Sequence, residues 1–268
     1  LGKFNGVLLA SDFDDTFITG DLVVPPENLR ALNYFTGEGG TFTIATGRAH
    51  PTFAPYAGQV PFNAPVILSN GSALYDFQAG RMVYETFLPE RVGEDLCQLA
   101  RDIPEIGFEA YHGDDIYAYQ PNAVTEAHIT RAKAHYTQLP IAQMPQPWSK
   151  VILEQDTPVL RRVQEYMLAR WSDHYEVIFS NAYLLELTRK GSHKGGMVRY
   201  LADRLGIQPG HIYCVGDNQN DIPMLAISAI PFAPGDCAQA VKDWGAQLLC
   251  PCREGCIAQI VERLDQLY

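Results

Sequence analysis

Apolar positions along this chain follow two rhythms. In the first eighty residues and again in the last eighty, short runs that are apolar almost throughout alternate with segments whose apolar residues recur every three or four positions. The runs are "VLLAS" (7–11), "TFTIATGR" (41–48), "APVILSNG" (64–71), "HIYCVGD" (211–217), "IPFA" and "AQLLC". Each reads as a strand, those at 41–48 and 64–71 running on into a turn, and a strand without polar alternation is one buried on both faces. Between them, "PPENLRALNYFTGEGG" begins on prolines, spaces Leu29, Leu32 and Phe35 at helical intervals and stops on glycines. "SHKGGMVRYLADRLG" puts Met197, Leu201 and Leu205 on one helical face, with Gly206 as its stop, and "NDIPMLAIS", "AVKDWG" and "GCIAQIVERL" continue the alternation. The two ends of the chain together predict an α/β core: a Rossmann-like parallel sheet covered by helices.

The middle has a different grain. "RMVYETFL" reads as a strand and "PERVGEDLCQLARDI" as a helix; "IGFEAY" and "DIYAY" flank the turn "HGDD" as a hairpin. A helix over 122–137, the strand "SKVILEQ", a helix over 157–171 and the strands "YEVIFS" and "YLLELT" follow. This α+β pattern interrupts the α/β one, with loops at "DFQAG" and "RKGSH". The expected organisation is a discontinuous core, residues 1–80 and 189–268, with an inserted domain over 81–188.

Composition narrows the function classes. The chain has 268 residues, 47% of them hydrophobic and 19% charged, enough for one large or two moderate domains with real cores. A formal net charge of -11, with no run of Lys or Arg, argues against a nucleic-acid partner or an anionic membrane surface. The opening apolar stretch, Val7 to Ala10, is far shorter than a signal-peptide core or a membrane span. Six cysteines in a chain this long do not suggest a disulfide scaffold. The expectation is a cytoplasmic protein, a monomer or small homo-oligomer.

Candidate chemistry sits where strands end. "DFDDT" follows the first strand, "ATGR" the second and "GDNQND" the strand at 211–215, while "GSHK" opens a helix. In open α/β sheets, ligands bind beyond the carboxyl ends of the strands, so these four stretches would meet at one edge. Asp12, Asp14, Asp217 and Asp221 would then form a carboxylate cluster that stays ionised only beside something positive. Oxygen ligands without His or Cys point to a hard cation, and Mg²⁺ is the usual choice beside a phosphate. Thr46 offers a hydroxyl and Lys194 an ammonium to such a phosphate, and the turn amides after Asp12 form an anion-binding concavity. One carboxylate could serve as nucleophile, and a second, two residues on, as acid and base.

Each feature has an ordinary reading too. Asp14 and Asp15 alone would be turn or cap residues, Thr46-Gly47 could simply end a strand, and Asn70-Gly71 is a turn dipeptide. Lys194 is an odd structural choice, because the dipole at a helix start disfavours a cation. "CPCREGC" (250–256) lacks the fourth ligand that tetrahedral zinc wants, which disfavours zinc at Cys250, Cys252 and Cys256; a redox-sensitive thiol pair is the other reading, and neither enters the expected function. The seven histidines show no ligand spacing; His112 and His193 read as surface or loop residues, with His193 close to the phosphate site through Lys194. "HGDDIYAY" and Lys150 would face the site if the inserted segment closes over it.

Taken in order, Asp12-Phe-Asp14-Asp-Thr16, Thr46-Gly47-Arg48, Asn70-Gly71, Lys194 and Gly216-Asp217-Asn-Gln-Asn220-Asp221 resemble the haloacid dehalogenase superfamily, and most closely its Cof-type phosphatases with a large α/β cap. The resemblance spans nearly the whole chain. It implies that Asp12 is the nucleophile that becomes an aspartyl phosphate and Asp14 the general acid and base. It implies that Thr46, Gly47, Asn70 and Lys194 surround the phosphoryl group. Mg²⁺ would be held by Asp12, the backbone carbonyl of Asp14 and Asp217, with Asn220 and Asp221 in support. One departure is Asp15, where the family usually has Gly; it would alter the turn or add a charge near the metal. The implied function is a phosphomonoesterase acting on a small phosphorylated metabolite, a sugar phosphate or phosphorylated cofactor. The alternatives are a phosphomutase or phosphotransferase with the same nucleophile, or an idle sensor of a phosphorylated ligand. A receiver domain is too short to carry such an insert, a dehalogenase needs no acid at position 14, and no G-x-G-x-x-G follows the first strand to bind a dinucleotide.

Overall fold

The protein is described by a computed structural model covering residues 2–268. The chain first forms β1 (Leu8–Ser11), α1 (Pro26–Gly37), β2 (Thr41–Ile44), α2 (His50–Phe53), β3 (Val66–Leu68), β4 (Ala73–Asp76) and β5 (Arg81–Glu85). It continues through α3 (Val92–Asp102), β6 (Gly107–His112), β7 (Asp115–Tyr119), α4 (Ala123–Ala132), β8 (Thr137–Gln138), β9 (Lys150–Glu154), α5 (Thr157–Trp171), β10 (Tyr175–Phe179) and β11 (Leu184–Arg189). It closes with α6 (Lys194–Leu205), β12 (Ile212–Val215), α7 (Ile222–Leu225), β13 (Pro231–Ala233), α8 (Gln239–Trp244), β14 (Gln247–Leu248) and α9 (Cys256–Asp265).

The two ends of the chain build one parallel sheet in the order β14-β13-β12-β1-β2. Alternation along β1 divides its side chains between two cores. Leu9 packs with Phe42 and Val215 against Leu32 and Phe35 of α1 and Ile257 and Val261 of α9. Leu8 and Ala10 pack on the other face with Met197, Val198 and Leu201 of α6. All four residues of β1 are buried, which is why its sequence shows no polar alternation. The chain leaves β1 toward β2 on one side and returns to β12 on the other, so the strand order reverses between β1 and β12. Ligand crevices of α/β sheets open at such a point, and Asp12 and Asp217 lie just past the ends of these two strands.

The intervening segment forms a second sheet, β10-β11-β9-β6-β7-β8, antiparallel except for the β7–β8 pair. One face carries α3 and α5 over a core of Leu96, Leu99, Trp148, Leu160, Val163 and Met167. The other face holds α4 and a smaller apolar cluster of Tyr111, Ile129, Ile152 and Leu184 that also includes Ala49. This face also presents buried charge: Glu109, Lys150, Glu154 and Glu186 are all buried. Register aligns Glu109 with Ile152 and Ile152 with Glu186, so the charges come from neighbouring strands.

Two sequence expectations shift and a third holds. The strand at 81–85, assigned above to the insert, pairs with β4 in the antiparallel sheet β3-β4-β5, with Ala73 opposite Glu85. Nothing in its own residues marks which sheet it joins, because hairpin pairing with β4 decides that. The helix expected over 122–137 stops at Ala132, where Lys133 turns left-handed at φ 53° and its amide bonds the Ile129 and Thr130 carbonyls. The stretch 64–71 is, as expected, a strand that runs into a turn: β3 ends at Leu68, and Ser69, Asn70 and Gly71 all have positive φ, which breaks the ladder and bends the chain toward α6.

Candidate active site

The loop after β1 begins in register with the sheet, the Asp12 amide donating to the Val215 carbonyl at 2.9 Å. Phe13 then turns into the core, fully buried, which forces Asp12 and Asp14 to the opposite side of the loop. Asp15 takes φ 58°, the left-handed region that glycine and, among L residues, Asp and Asn adopt most readily. The residue found in place of the family's usual glycine therefore keeps the turn, its amide bonding the Ile18 carbonyl at 2.8 Å. Thr16 reaches across to Asp217 Oδ1 at 3.3 Å. Beneath it, the Cys252 and Cys256 thiols donate to the Thr16 carbonyl at 3.3 and 3.5 Å. Burial pushes the Cys252 thiol up to about 12 and Cys256 higher still, so both act as small buried donors that brace the loop.

Lys194, the first residue of α6, is fully buried. Its Nζ lies 2.6 Å from Asp12 Oδ1 and 2.5 Å from Asp221 Oδ1. Those two carboxylates outweigh burial and raise the Lys194 ammonium's pKa, so the charge is held despite the helix dipole. Asp221 has no oxygen to spare, since its Oδ2 accepts the Asp217 and Asn218 amides at 2.9 and 3.0 Å. Burial first, then the charge of Asp221, pushes Asp12 up to about 7 against the pull of Lys194. Burial and the charges of Asp12 and Asp221 push Asp217 well above the ordinary range.

Asp12, Asp217 and Asp221 each offer an oxygen within 4.8 Å of the others. An all-oxygen set with more negative charge than Lys194 balances fits a hard divalent cation. Asp12 and Asp217 could serve such an ion as donors, while Asp221 is committed to Lys194 and to the Asp217 and Asn218 amides.

Thr46 and Asn70 close the site from the side of β2 and β3. The Thr46 hydroxyl oxygen accepts the Arg48 amide at 3.0 Å, which leaves its own hydrogen free to donate. Asn70 Oδ1 accepts from Asn220 Nδ2 at 3.0 Å, while Asn70 Nδ2 is buried without a partner. An orphaned buried donor beside Thr46 and Gly47 is suited to an anion's oxygen. Three consecutive left-handed residues hold Asn70 there; at Gly71, φ 92°, a Cβ would stand 2.3 Å from the His193 carbonyl oxygen. The requirement for glycine at 71 is therefore both conformational and steric.

Asp14 faces away from the carboxylate cluster. Arg48 grips it with Nε and Nη2, both at 2.8 Å, and Arg131 of α4 adds a bond at 3.0 Å. Burial works to raise the Asp14 carboxyl, but the two guanidinium groups outweigh it and hold it below its ordinary value. Arg131 also donates to the Gly20 carbonyl at 2.6 Å, and Lys150 to the Gly47 carbonyl at 2.6 Å. The second sheet and its helix are thus closed over the site, around a cavity of about 140 Å³.

Asp12, Asp14, Thr46, Gly47, Asn70, Lys150, Lys194, Asp217, Asn220 and Asp221 come together here, with Asp14 turned to arginines and Asn220 to Asn70, whereas no residue of the stretch 112–119 lines the cavity. His193 caps α6, its Nδ1 accepting the Gly196 amide at 3.1 Å, and His112 contacts the Pro147 carbonyl at 2.8 Å. Sequence reasoning missed Arg131, Glu186 and a His–Glu–Glu group: His128 Nδ1 lies 3.0 Å from Glu109 Oε1 and 3.7 Å from Glu154 Oε1. Arg48 was visible beside Thr46-Gly47, but its grip on Asp14 was not. Arg131 and His128 are one helical turn apart on α4, a spacing with no chemical signature of its own.

A carboxylate pair, a buried lysine and a hydroxyl thus gather beyond the carboxyl ends of parallel strands, under an inserted cap. The family model for haloacid dehalogenase-like hydrolases matches residues 9–250, and the chain belongs to that family. It is similar to the pyridoxal phosphate phosphatase YbhA of Escherichia coli (strain K12), 24% identical over 88% of this chain and 90% of that one. It is also similar to the 5-amino-6-(5-phospho-D-ribitylamino)uracil phosphatase YitU of Bacillus subtilis (strain 168), 23% identical over 88% of each. Among solved structures, the HAD subclass IIB sugar phosphatase BT4131 superposes with a TM-score of 0.85 at 18% identity, over 97% of this chain and 99% of that one. The protein is an enzyme of the phosphatase class, with an α/β core and a cap. Among the described residues no helix is long and apolar enough to cross a membrane.

Proposed function

We propose that the protein is a Mg²⁺-dependent phosphomonoesterase of small phosphorylated metabolites, working through an aspartyl phosphate on Asp12, in the cytoplasm. The observation that carries this reading is the convergence on Asp12: Lys194 at 2.6 Å, the free oxygen of Asp217 nearby and the orphaned Asn70 amide, from four distant parts of the chain. The relatives' names, which cover pyridoxal and ribityl phosphates, support a small-metabolite substrate. The domain division proposed is a core from both chain ends, with the cap between β5 and α6.

Asp12 attacks phosphorus with a carboxylate oxygen while the bond to the leaving oxygen breaks, and that oxygen takes its proton from Asp14 in the minority of molecules whose Asp14 is protonated, a minority because Arg48 and Arg131 hold the carboxyl below its ordinary value. The Asp14 carboxylate then takes a proton from water, whose oxygen attacks phosphorus, restoring Asp12 and releasing inorganic phosphate. Lys194, Thr46 and Asn70 donate to the phosphoryl oxygens and keep Asp12 aligned. Asp12, Asp217 and the Asp14 carbonyl would hold Mg²⁺, which supplies positive charge opposite the phosphoryl oxygens.

The test is hydrolysis of p-nitrophenyl phosphate with Mg²⁺, with chelator, and by Asp12→Asn. Turnover that both controls abolish supports the reading. Folded protein inert toward this compound and a panel of metabolite phosphates would refute it in favour of phosphoryl transfer between sugars or ligand sensing.

A further inference from the structure

The cap holds a buried cluster that phosphoryl transfer leaves unused. His128 of α4, Glu109 of β6 and Glu154 of β9 each bring one ligand-type atom within 4.8 Å of the others. Both glutamates are fully buried, and His128 borders the cavity under the cap. Register explains the meeting. Glu109 stands opposite Ile152 and Gly107 opposite Glu154, so the two carboxylates are diagonal neighbours on one face of the sheet. Asn122 caps α4 and donates from Nδ2 to the Glu154 carbonyl at 3.0 Å, which seats the helix, and His128 with it, on that face.

Hydrogen bonds turn one oxygen of each carboxylate toward the ring. Glu109 Oε2 accepts from the Tyr111 hydroxyl at 2.7 Å, and Glu154 Oε2 from the Thr125 hydroxyl at 2.5 Å. His128 Nδ1 lies 3.0 and 3.1 Å from the Glu109 oxygens and 3.7 Å from Glu154 Oε1. A ring nitrogen carries one hydrogen at most, and 3.7 Å is beyond hydrogen-bond reach. Glu154 Oε1 is accordingly buried without a partner. A buried carboxylate oxygen left over beside a second carboxylate calls for a positive centre. Lys150 does not supply it, being committed to Glu186 at 3.2 Å and the Gly47 carbonyl at 2.6 Å.

The spacing suits a metal ion. Bonds of about 2.1 Å from Zn²⁺ to imidazole nitrogen and carboxylate oxygen set neighbouring tetrahedral ligand atoms about 3.4 Å apart. The separations of 3.0 and 3.7 Å from Nδ1 to the two Oε1 atoms bracket that edge. Outer hydroxyls such as those of Tyr111 and Thr125 are what hold ligating carboxylates in place. A nitrogen donor selects against Mg²⁺ and Ca²⁺, which take oxygen, and in favour of a first-row transition metal.

We propose that His128 Nδ1, Glu109 Oε1 and Glu154 Oε1 form a second metal site, in the cap, for a divalent transition-metal ion of the Zn²⁺ type, with water in the fourth position. The ion joins α4 to β6 and β9, and so fixes the helix that brings Arg131 to Asp14. Without it Glu154 keeps a proton, its carboxyl pushed up to about 10 by burial and the charge of Glu109; ion binding sends that proton to solvent.

The test titrates chelator-stripped, dialysed protein with zinc chloride by calorimetry, in excess Mg²⁺ to occupy the oxygen-only set around Asp12. Zn²⁺ should bind and raise the urea unfolding midpoint. With one equivalent loaded, X-ray absorption at the zinc edge should show a nitrogen–oxygen shell with one imidazole and no sulfur. Such a shell separates this site from Cys250, Cys252 and Cys256 and from the Asp12 cluster. Glu154→Gln and His128→Gln should each weaken binding about tenfold or more, while Asp217→Asn leaves it unchanged. His128 is partly exposed, so its variant guards against a folding failure at buried Glu154. Three outcomes overturn the proposal: no zinc uptake by the wild type, a shell with sulfur or without imidazole, or affinity lost in Asp217→Asn and kept in both cap variants. None of them touches the phosphatase reading, which stands or falls on p-nitrophenyl phosphate hydrolysis.

Discussion

Arg131, on the cap helix α4, places its Nη2 3.0 Å from Asp14 Oδ1, on the loop after the first core strand. The proposed acid and base is thereby tied to the cap. Arg48 holds the same carboxylate from the core, so Asp14 has one partner in the core and one in the cap.

That tie predicts a directional pH effect. Both arginines hold the Asp14 carboxyl below its ordinary value, so Arg131→Gln lets it rise. The water-activating half-reaction needs Asp14 ionised, and a higher pKa means the ionised form is lost sooner on acidification. The acidic limb of the kcat–pH profile should therefore move to higher pH, with KM raised several-fold from weaker cap closure. Asp14→Asn should cost ~10²–10⁴-fold in kcat, the usual worth of a positioned acid–base group. A profile unmoved by Arg131→Gln would show that Asp14 does not set the limb.

Asp15 separates conformation from charge. Its φ of 58° is one that Asp tolerates and a β-branched residue does not. Asp15→Gly should leave stability within about 1 kcal/mol, while Asp15→Val should cost roughly 1–2 kcal/mol. Burial also raises the Asp15 carboxyl, so the glycine variant removes a costly charge from the cavity and should not weaken Mg²⁺ activation. Urea unfolding of the two variants, with Mg²⁺ titrations of activity, checks both halves.

The parts of the site that were legible in the sequence share a cause. Asp12, Asp14, Thr46, Lys194 and Asp217 sit immediately beside element ends, where apolar strands break into short polar runs. Arg131 and Asp14 are 117 residues apart, and Glu109, His128 and Glu154 lie on three elements. Each of these is a single residue in an ordinary amphipathic context, and only the folding of the cap sheet gives it a partner. The same holds for β5: its residues specify a strand, and pairing with β4 specifies the sheet.

Two adjacent glycines behind Lys194 should respond oppositely to alanine. A Cβ on Gly195 would meet the Pro223 carbonyl oxygen at 2.1 Å, so α6 could not stay seated on α7. Gly195→Ala should cost ~1–3 kcal/mol by overpacking and reduce activity at least tenfold by displacing Lys194 from Asp12. A Cβ on Gly196 finds nothing nearer than 3.5 Å, so Gly196→Ala should be neutral or stabilising by up to about 1 kcal/mol, as expected for Ala in a helix. Equal effects of the two on unfolding midpoints would mean that the α6–α7 contact does not position the lysine.

Stability should also depend on pH in a way that Mg²⁺ removes. Asp12 is pushed up to about 7 in the fold, Asp217 is raised well above its ordinary value, and Glu154 is pushed up to about 10. For such groups the folded state binds more protons than the unfolded state between the unfolded and folded pKa values, so stability falls as pH rises through that window. For Asp12 alone, moving from about pH 5.5 to about pH 8 should cost about 2 kcal/mol in chelator. Asp14 and Lys194 do not offset this. Asp14 is lowered and already ionised throughout the window, and Lys194 is raised and protonated throughout it. Millimolar Mg²⁺ favours the ionised forms of Asp12 and Asp217 and should recover most of the loss at the higher pH, while the Glu154 share persists and disappears in Glu154→Gln. Urea titrations at the two pH values, with and without Mg²⁺, read all three effects; stability that is flat with pH in chelator would mean the carboxylates around Lys194 are not held as close as 2.5–2.6 Å in the metal-free protein.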